Sequence, residues 1–159
     1  MDYFQGVVTE FLRANRSTFV NTEFCIQLDP GGEPLKGRHW YCDAIAADFE
    51  GKTIYLCEVT YSKTLHALVS RLQAWKKCWP LLCNAIARDC SVPDDWKVQP
   101  WLFIPSASRD KMKEKLTALG ITPNAPDQMP YPWITDLENV VPWKYSNWNR
   151  KHMAHENDA

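Results

Sequence analysis

The chain has 159 residues, 18 basic and 19 acidic, with a pI near 6.4 and a mean hydropathy of −0.41. That length carries one domain with a single substantial core, and the near-zero charge excludes a general attraction to polyanions, so any nucleic-acid site must be a local patch. No apolar run approaches bilayer length, and the opening MDYFQGVVTEF lacks a signal-peptide core, so the six cysteines read as reduced thiols of a cytoplasmic protein.

From Tyr3 to Ala14, Phe4, Val7, Val8, Phe11 and Leu12 fall at the i, i+3, i+4 spacing of an amphipathic helix, with Glu10 near its end. Thr18 to Leu28 is strand-like and is closed by the turn chemistry of Asp29-Pro30-Gly31-Gly32. After Gly37 the chain enters two short apolar runs flanking Glu50-Gly51, a hairpin pattern. With Glu50 and Gly51 as the two central turn residues, antiparallel partners have numbers summing to 101 and Asp43 lies opposite Glu58. Opposed side chains in such a ladder have Cβ atoms about 5 Å apart, and like charges there repel. A shared proton or a divalent cation between the carboxylates offsets that repulsion.

Beyond the hairpin, Ser62 is placed to cap a helix whose Leu65, Leu68, Leu72, Trp75 and Trp79 step by three and four. Its other stripe is Lys63, His66, Ser70, Gln73 and Lys77. Pro80 kinks or restarts that helix, and a further stretch runs from Leu81 to Cys90. Trp101 to Ile104 reads as a buried strand bounded by Pro100 and Pro105. Ser108 precedes a helix from Arg109 to Leu119 that ends at Gly120. Its basic residues, Arg109, Lys111, Lys113 and Lys115, are interrupted by Asp110 and Glu114, the pattern of a solvated surface. Past Gly120, five prolines alternate with Tyr131, Trp133, Trp143 and Trp148 without a period. The organisation expected is one α/β domain over residues 1–120, an irregular wrap of the same domain over 121–149, and a disordered tail over 150–159. The aromatics of the wrap are expected to cover the core or to form a homo-oligomer interface.

An Asp beginning one strand, a Glu on the next, and a following helix with Gln or Lys resemble the PD-(D/E)XK nuclease superfamily, whose fold is restriction-endonuclease-like. Cys42-Asp43 stands where that family has Pro-Asp. Glu58-Val59-Thr60 stands where it has Glu-X-Lys, so Thr60 replaces the usual Lys. The resemblance covers roughly Met1 to Pro105. It implies an α-β-β-β-α-β core with a mixed sheet flanked by helices. It also implies a Mg²⁺ (or Mn²⁺) site made by Asp43, Glu58, the carbonyl of Val59 and, from the first helix, Glu10. In the family the helix after the Glu strand lends a Gln or basic group to the phosphate, which assigns Ser70, Gln73 and Lys77 to nucleic-acid binding.

The function expected from this resemblance is a magnesium-dependent phosphodiesterase acting on DNA, with Asp43, Glu58, Thr60 and Lys63 at the catalytic centre. Lys63 enters because related nucleases displace the missing base to a nearby position. The alternative is a degenerate module of the same fold that binds nucleic acid or a protein without cleavage, because a threonine hydroxyl carries no charge. Walker, GxGxxG, HExxH and GxSxG motifs are absent from the chain, no His is tied by motif to a Cys, and Cys78, Cys83 and Cys90 lack CxxC spacing.

Overall fold

The computed structural model describes residues 2–30, 36–125 and 128–145. In chain order these form α1 (Tyr3–Arg13), β1 (Thr18–Gln27), β2 (His39–Asp48), β3 (Thr53–Val59), α2 (His66–Lys77), α3 (Trp79–Cys90), β4 (Lys97–Ile104), α4 (Arg109–Ala118) and β5 (Trp133–Asp136). The five strands make one mixed sheet in the order β1-β2-β3-β4-β5. β1, β2 and β3 are antiparallel neighbours, whereas β4 and β5 run parallel to β3. The change from antiparallel to parallel at β3 requires a crossover, and α2 with α3 supplies it. The expected α/β class, with a mixed sheet flanked by helices, is observed.

β3 is the middle strand, and its residues through Glu58 are all buried. Ile54 and Leu56 point to a core shared with Leu65, Leu68, Leu72 and Trp75 of α2, with α3, and with Met112 and Leu116 of α4. Tyr55 and Cys57 point to the opposite core, with Val8, Phe11 and Leu12 of α1 and with Trp101 and Phe103 of β4. A strand covered on both faces reads as a continuous apolar run, and TIYLCEV is one until its Glu. The apolar stripes read from the sequence on α1 and α2 are the ones that pack.

Four local features differ from expectation. The β2–β3 turn spans residues 49–52 rather than two central residues. A two-residue turn of this kind demands positive φ that Glu50 tolerates poorly. Instead Lys52 takes the positive φ, 47°, and the Asp48 carboxylate accepts the N–H groups of Glu50 and Gly51 at 3.1 and 3.2 Å. One residue is added on each side, so the register is unchanged and Asp48 pairs with Thr53. Ser62 does not cap α2, which begins at His66 after Leu65; the Ser62 hydroxyl instead contacts that of Thr64 and accepts the Thr64 N–H.

β4 begins at Lys97 and runs through Pro100. Lys97 N–H donates to Lys52 and the Phe103 carbonyl accepts from Thr60, so odd residues of β4 bond to β3. Pro100 faces the other side, where β5 pairs only from Trp101 onward, and its missing N–H interrupts no ladder. β5 itself lies inside the segment read as an irregular wrap. The four residues Trp133–Asp136 after Pro132 are too short for a periodic signal, and pairing with β4 makes the strand. Trp133 does cover the core, against Tyr55 and Trp101, whereas Trp143 is exposed. Trp148 and the tail 150–159 lie outside the described residues, as do Gly31 and Gly32.

At the C-terminus of α4, Gly120 takes φ 74°, and the Gly120 and Ile121 N–H groups close back on Thr117 and Leu116. This is the glycine helix stop read from the sequence. None of the helices among the described residues is long and apolar enough to cross a membrane. All six cysteines are free thiols.

The buried Trp101 indole N–H donates to the Thr135 hydroxyl at 2.9 Å, tying β4 to β5 inside the core. Thr135→Val keeps the shape and leaves a buried donor without its acceptor, so it is expected to cost about 1–3 kcal/mol in urea unfolding. A loss below about 0.5 kcal/mol contradicts this role.

Candidate functional site

Asp43 sits where β2 parts from β3 and where its pairing with β1 skips one rung. The β2–β3 pairing stops at Ala44 with Cys57. On the other side the β1–β2 pairing omits Glu23 and Asp43, although Thr22 pairs with Ala44 and Phe24 with Cys42. Glu23 holds a φ of 53°, an uncommon conformation for a non-glycine residue and one found disproportionately at functional sites. Cys42 packs into the α2–α3 core and Ala44 into the α1 core, so the in-out alternation slips at Asp43.

The Asp43 carboxylate takes over the pairing that the strand gives up. Its Oδ2 accepts the Val59 N–H at 2.8 Å, the group that the next rung of the ladder would have bonded to Cys42. Its Oδ1 accepts from the Gln5 side chain at 3.0 Å. Gln5 is held in place by the start of α1. It forms a capping box in which the Asp2 carboxylate accepts the Gln5 N–H at 2.8 Å and the Gln5 side-chain Oε1 accepts the Asp2 N–H at 3.2 Å.

Glu58, one position past the last β2–β3 rung, reaches the same place from the α2 side. It is 7% exposed, and Arg71 of α2 donates to its Oε1 at 2.6 Å. The same guanidinium nitrogen also donates to the Tyr41 carbonyl, which bridges α2 to β2. Burial pushes the Glu58 carboxyl well above the usual carboxylate range, and the neighbouring Asp43 charge pushes it further, while Arg71 pulls it down. Burial outweighs the ion pair, because a single half-exposed cation does not replace the hydration that a buried carboxylate loses. Cys42, below the pair, donates its thiol to the Ala44 and Cys57 carbonyls; burial first, then Glu58, pushes it well up. It is not a nucleophile at neutral pH.

These groups line one pocket of about 170 Å³ formed by Asp43, Glu58, Val59, Thr60, Ala67, Leu68 and Arg71. The structure therefore brings together Asp43, Glu58, Val59 and Thr60 from the residues read in the sequence. Thr60 donates its N–H to Phe103, and its hydroxyl accepts the Ser62 N–H at 3.2 Å. The other sequence-derived residues lie elsewhere. Glu10 is exposed and pairs with Arg13 at 3.2 Å, and Gln5 is the α1 residue that meets Asp43. Ser70, Gln73 and Lys77 are exposed on α2 and are not among the lining residues. Lys63 is exposed in the segment before α2 rather than in its first turn, and it does not line the pocket either.

Gln5 and Arg71 escaped the sequence reading. For Gln5 the available signal was the D-x-x-Q capping pattern at Asp2. For Arg71 it was position: three residues after Leu68 and four before Trp75, it flanks the apolar stripe, where a long basic side chain lies along the core and presents its head at the rim.

Comparison of the chain with protein-family profiles, with curated proteins and with solved structures finds no match.

Because the folded-state pKa of Glu58 is raised, its neutral form is the one the fold favours. Its contribution to stability is full below the unfolded carboxyl value and is lost as pH rises toward the folded one. Glu58→Gln removes that titration while keeping an acceptor for Arg71. Its Tm relative to wild type is expected to rise between pH 4 and pH 8 in differential scanning. Parallel Tm profiles for the two proteins contradict the assignment.

Proposed function

We propose that the protein is a metal-dependent phosphodiesterase acting on DNA, with the pocket at Asp43 and Glu58 as its catalytic centre. The observation that carries this reading is the convergence of two carboxylates and one arginine at the point where β2 parts from β3. Around a scissile phosphate, such a group supplies negative charge for a cation and positive charge for the phosphate.

The donor set fits a hard divalent ion. Asp43, Glu58 and the Val59 carbonyl offer oxygen only, the chemistry that Mg²⁺ and Mn²⁺ prefer. Glu58 is a buried acid beside a second acid, a setting in which a cation lowers the cost of ionisation. Bound there, the ion supplies polarisation of the phosphate and a lowered pKa for an attacking water. Gln5 and the Val59 N–H hold the Asp43 carboxylate in one orientation. Arg71, which lines the pocket where Lys63 does not, neutralises charge developing on the phosphate, the role left open by Thr60. Glu58 and Tyr41 both engage its Nη1, and a planar guanidinium with five donors has others to offer the substrate.

A second reading, a module of the same fold that binds nucleic acid or a protein without cleaving, is favoured by one specific feature. The Arg71–Glu58 pair, with Val59 and Gln5 on Asp43, gives both acids partners without a metal ion.

Cleavage of single-stranded DNA, duplex DNA and RNA with Mg²⁺ and Mn²⁺ separates the two. Wild type is expected to cleave DNA, Asp43→Asn to lose cleavage together with calorimetric Mn²⁺ binding, and Arg71→Ala to fall by about 10²-fold or more. Lys63→Ala is expected to stay near wild type. Equal Mn²⁺ affinity in wild type and Asp43→Asn sinks the metal site. No cleavage by wild type, with gain of cleavage in Thr60→Lys, establishes the binding module.

A further inference from the structure

A second pocket lies on the far side of the first turn of α2. It measures about 140 Å³ and is lined by Thr64, Leu65, His66, Val69, Lys111 and Lys115. Lys111 and Lys115 are one helical turn apart on α4 and therefore share a face, an arrangement in which like charges repel. Met112 and Leu116, both fully buried, fix that helix against the core and hold the lysine row beside α2. Among the described residues neither lysine side chain has an ion-pair or hydrogen-bond partner. The acids of α4, Asp110 and Glu114, are not among the lining residues. Of the four basic residues of this helix the pocket collects Lys111 and Lys115, whereas Arg109 pairs with Asp136.

The opposite wall adds donors. His66 is the first residue of α2, whose N-terminus has no side-chain cap, and Thr64 places a hydroxyl at the same rim. Two lysines without side-chain partners, lining one pocket with a hydroxyl that also contacts Ser62 and with an imidazole, suit a tetrahedral oxyanion.

Position relates this pocket to the acidic one. Ala67 and Leu68 line the site of Asp43 and Glu58, whereas His66 and Val69, on the same turn, line the lysine pocket. Thr60 at one rim and Thr64 at the other are separated by at most about 14 Å of chain. We propose that the lysine pocket holds a backbone phosphate of the same nucleic-acid strand whose neighbouring phosphodiester lies at Asp43 and Glu58. The anion site stands on its own residues; its assignment to a strand rests on the function proposed above. The overall charge gives no general attraction to such a strand, so this local pocket supplies the grip and sets which phosphate meets the acids.

The test uses the full chain without metal, so that cleavage plays no part. Inorganic phosphate and a short single-stranded oligonucleotide are each titrated by calorimetry and by amide NMR shifts. The wild type is compared with Lys111→Ala/Lys115→Ala and with the surface control Lys97→Ala, circular dichroism verifying the fold of each. The double variant is expected to weaken oligonucleotide binding about tenfold or more, and to reduce the slope of log K against log salt by about 0.7, one single-strand phosphate. Wild-type shifts are expected at Thr64 and His66, with Lys97→Ala matching wild type. Binding is read without metal and through Lys111 and Lys115 alone, so a failure of the catalytic reading leaves this result standing. Loss of inorganic phosphate binding with unchanged oligonucleotide affinity overturns the strand assignment in favour of a small-anion site. Binding of both ligands unaffected by the double variant overturns the site itself.

Discussion

Everything in this molecule is referred to β3, a seven-residue strand covered on both faces and paired on both edges. A slip of one residue against β2 would send Ile54 and Leu56 toward α1 and turn Tyr55 and Cys57 to the other core, so the register is fixed by two cores at once. That constraint fixes Glu58 as well. As the next residue of the even-numbered row, it must follow Leu56 toward α2, and an acid driven into that position needs a partner. Arg71 is the partner, and through Tyr41 it also ties α2 to the end of β2.

The site is built from a failure of the sheet. Where β2 and β3 stop pairing, a backbone donor on Val59 is left over, and Asp43 answers it with a side chain. Strand divergence, the unusual backbone at Glu23 and the break in alternation at Asp43 all fall within one rung. A regular ladder there would have set the two acids directly opposite each other on the face that α2 covers. The divergence opens a pocket between them and α2, so the irregularity and the potential chemistry have the same origin.

Charge is distributed with similar economy. The chain is nearly neutral, yet α2 separates two pockets of different character. One holds two carboxylates and one guanidinium. The other holds two ammonium groups and no acid among its lining residues. A polyanion that binds near the acids without long-range attraction needs such short-range separation of charge, because exposed charges lose most of their influence beyond about 8–10 Å at physiological salt.

Composition and periodicity alone determined the α/β class, the buried stripes of α1 and α2, the restart at Pro80, the glycine stop at Gly120 and the register that sets Asp43 beside Glu58. These are local or nearest-neighbour properties: periods of two and 3.6, turn chemistry, and a pairing counted outward from a turn. Even a wrong turn left the register intact, since Phe49 and Lys52 were added symmetrically. The tertiary structure alone decided what surrounds the acids. Gln5 lies 38 residues before Asp43 and Arg71 lies 13 after Glu58, and no periodicity links side chains across such separations. It likewise made β5 a strand, by offering four residues an open edge of β4. It also sorted Lys111 and Lys115 from Asp110 and Glu114, because which side of a polar helix meets a neighbour depends on the packing of Met112 and Leu116 rather than on the order of charges along the chain.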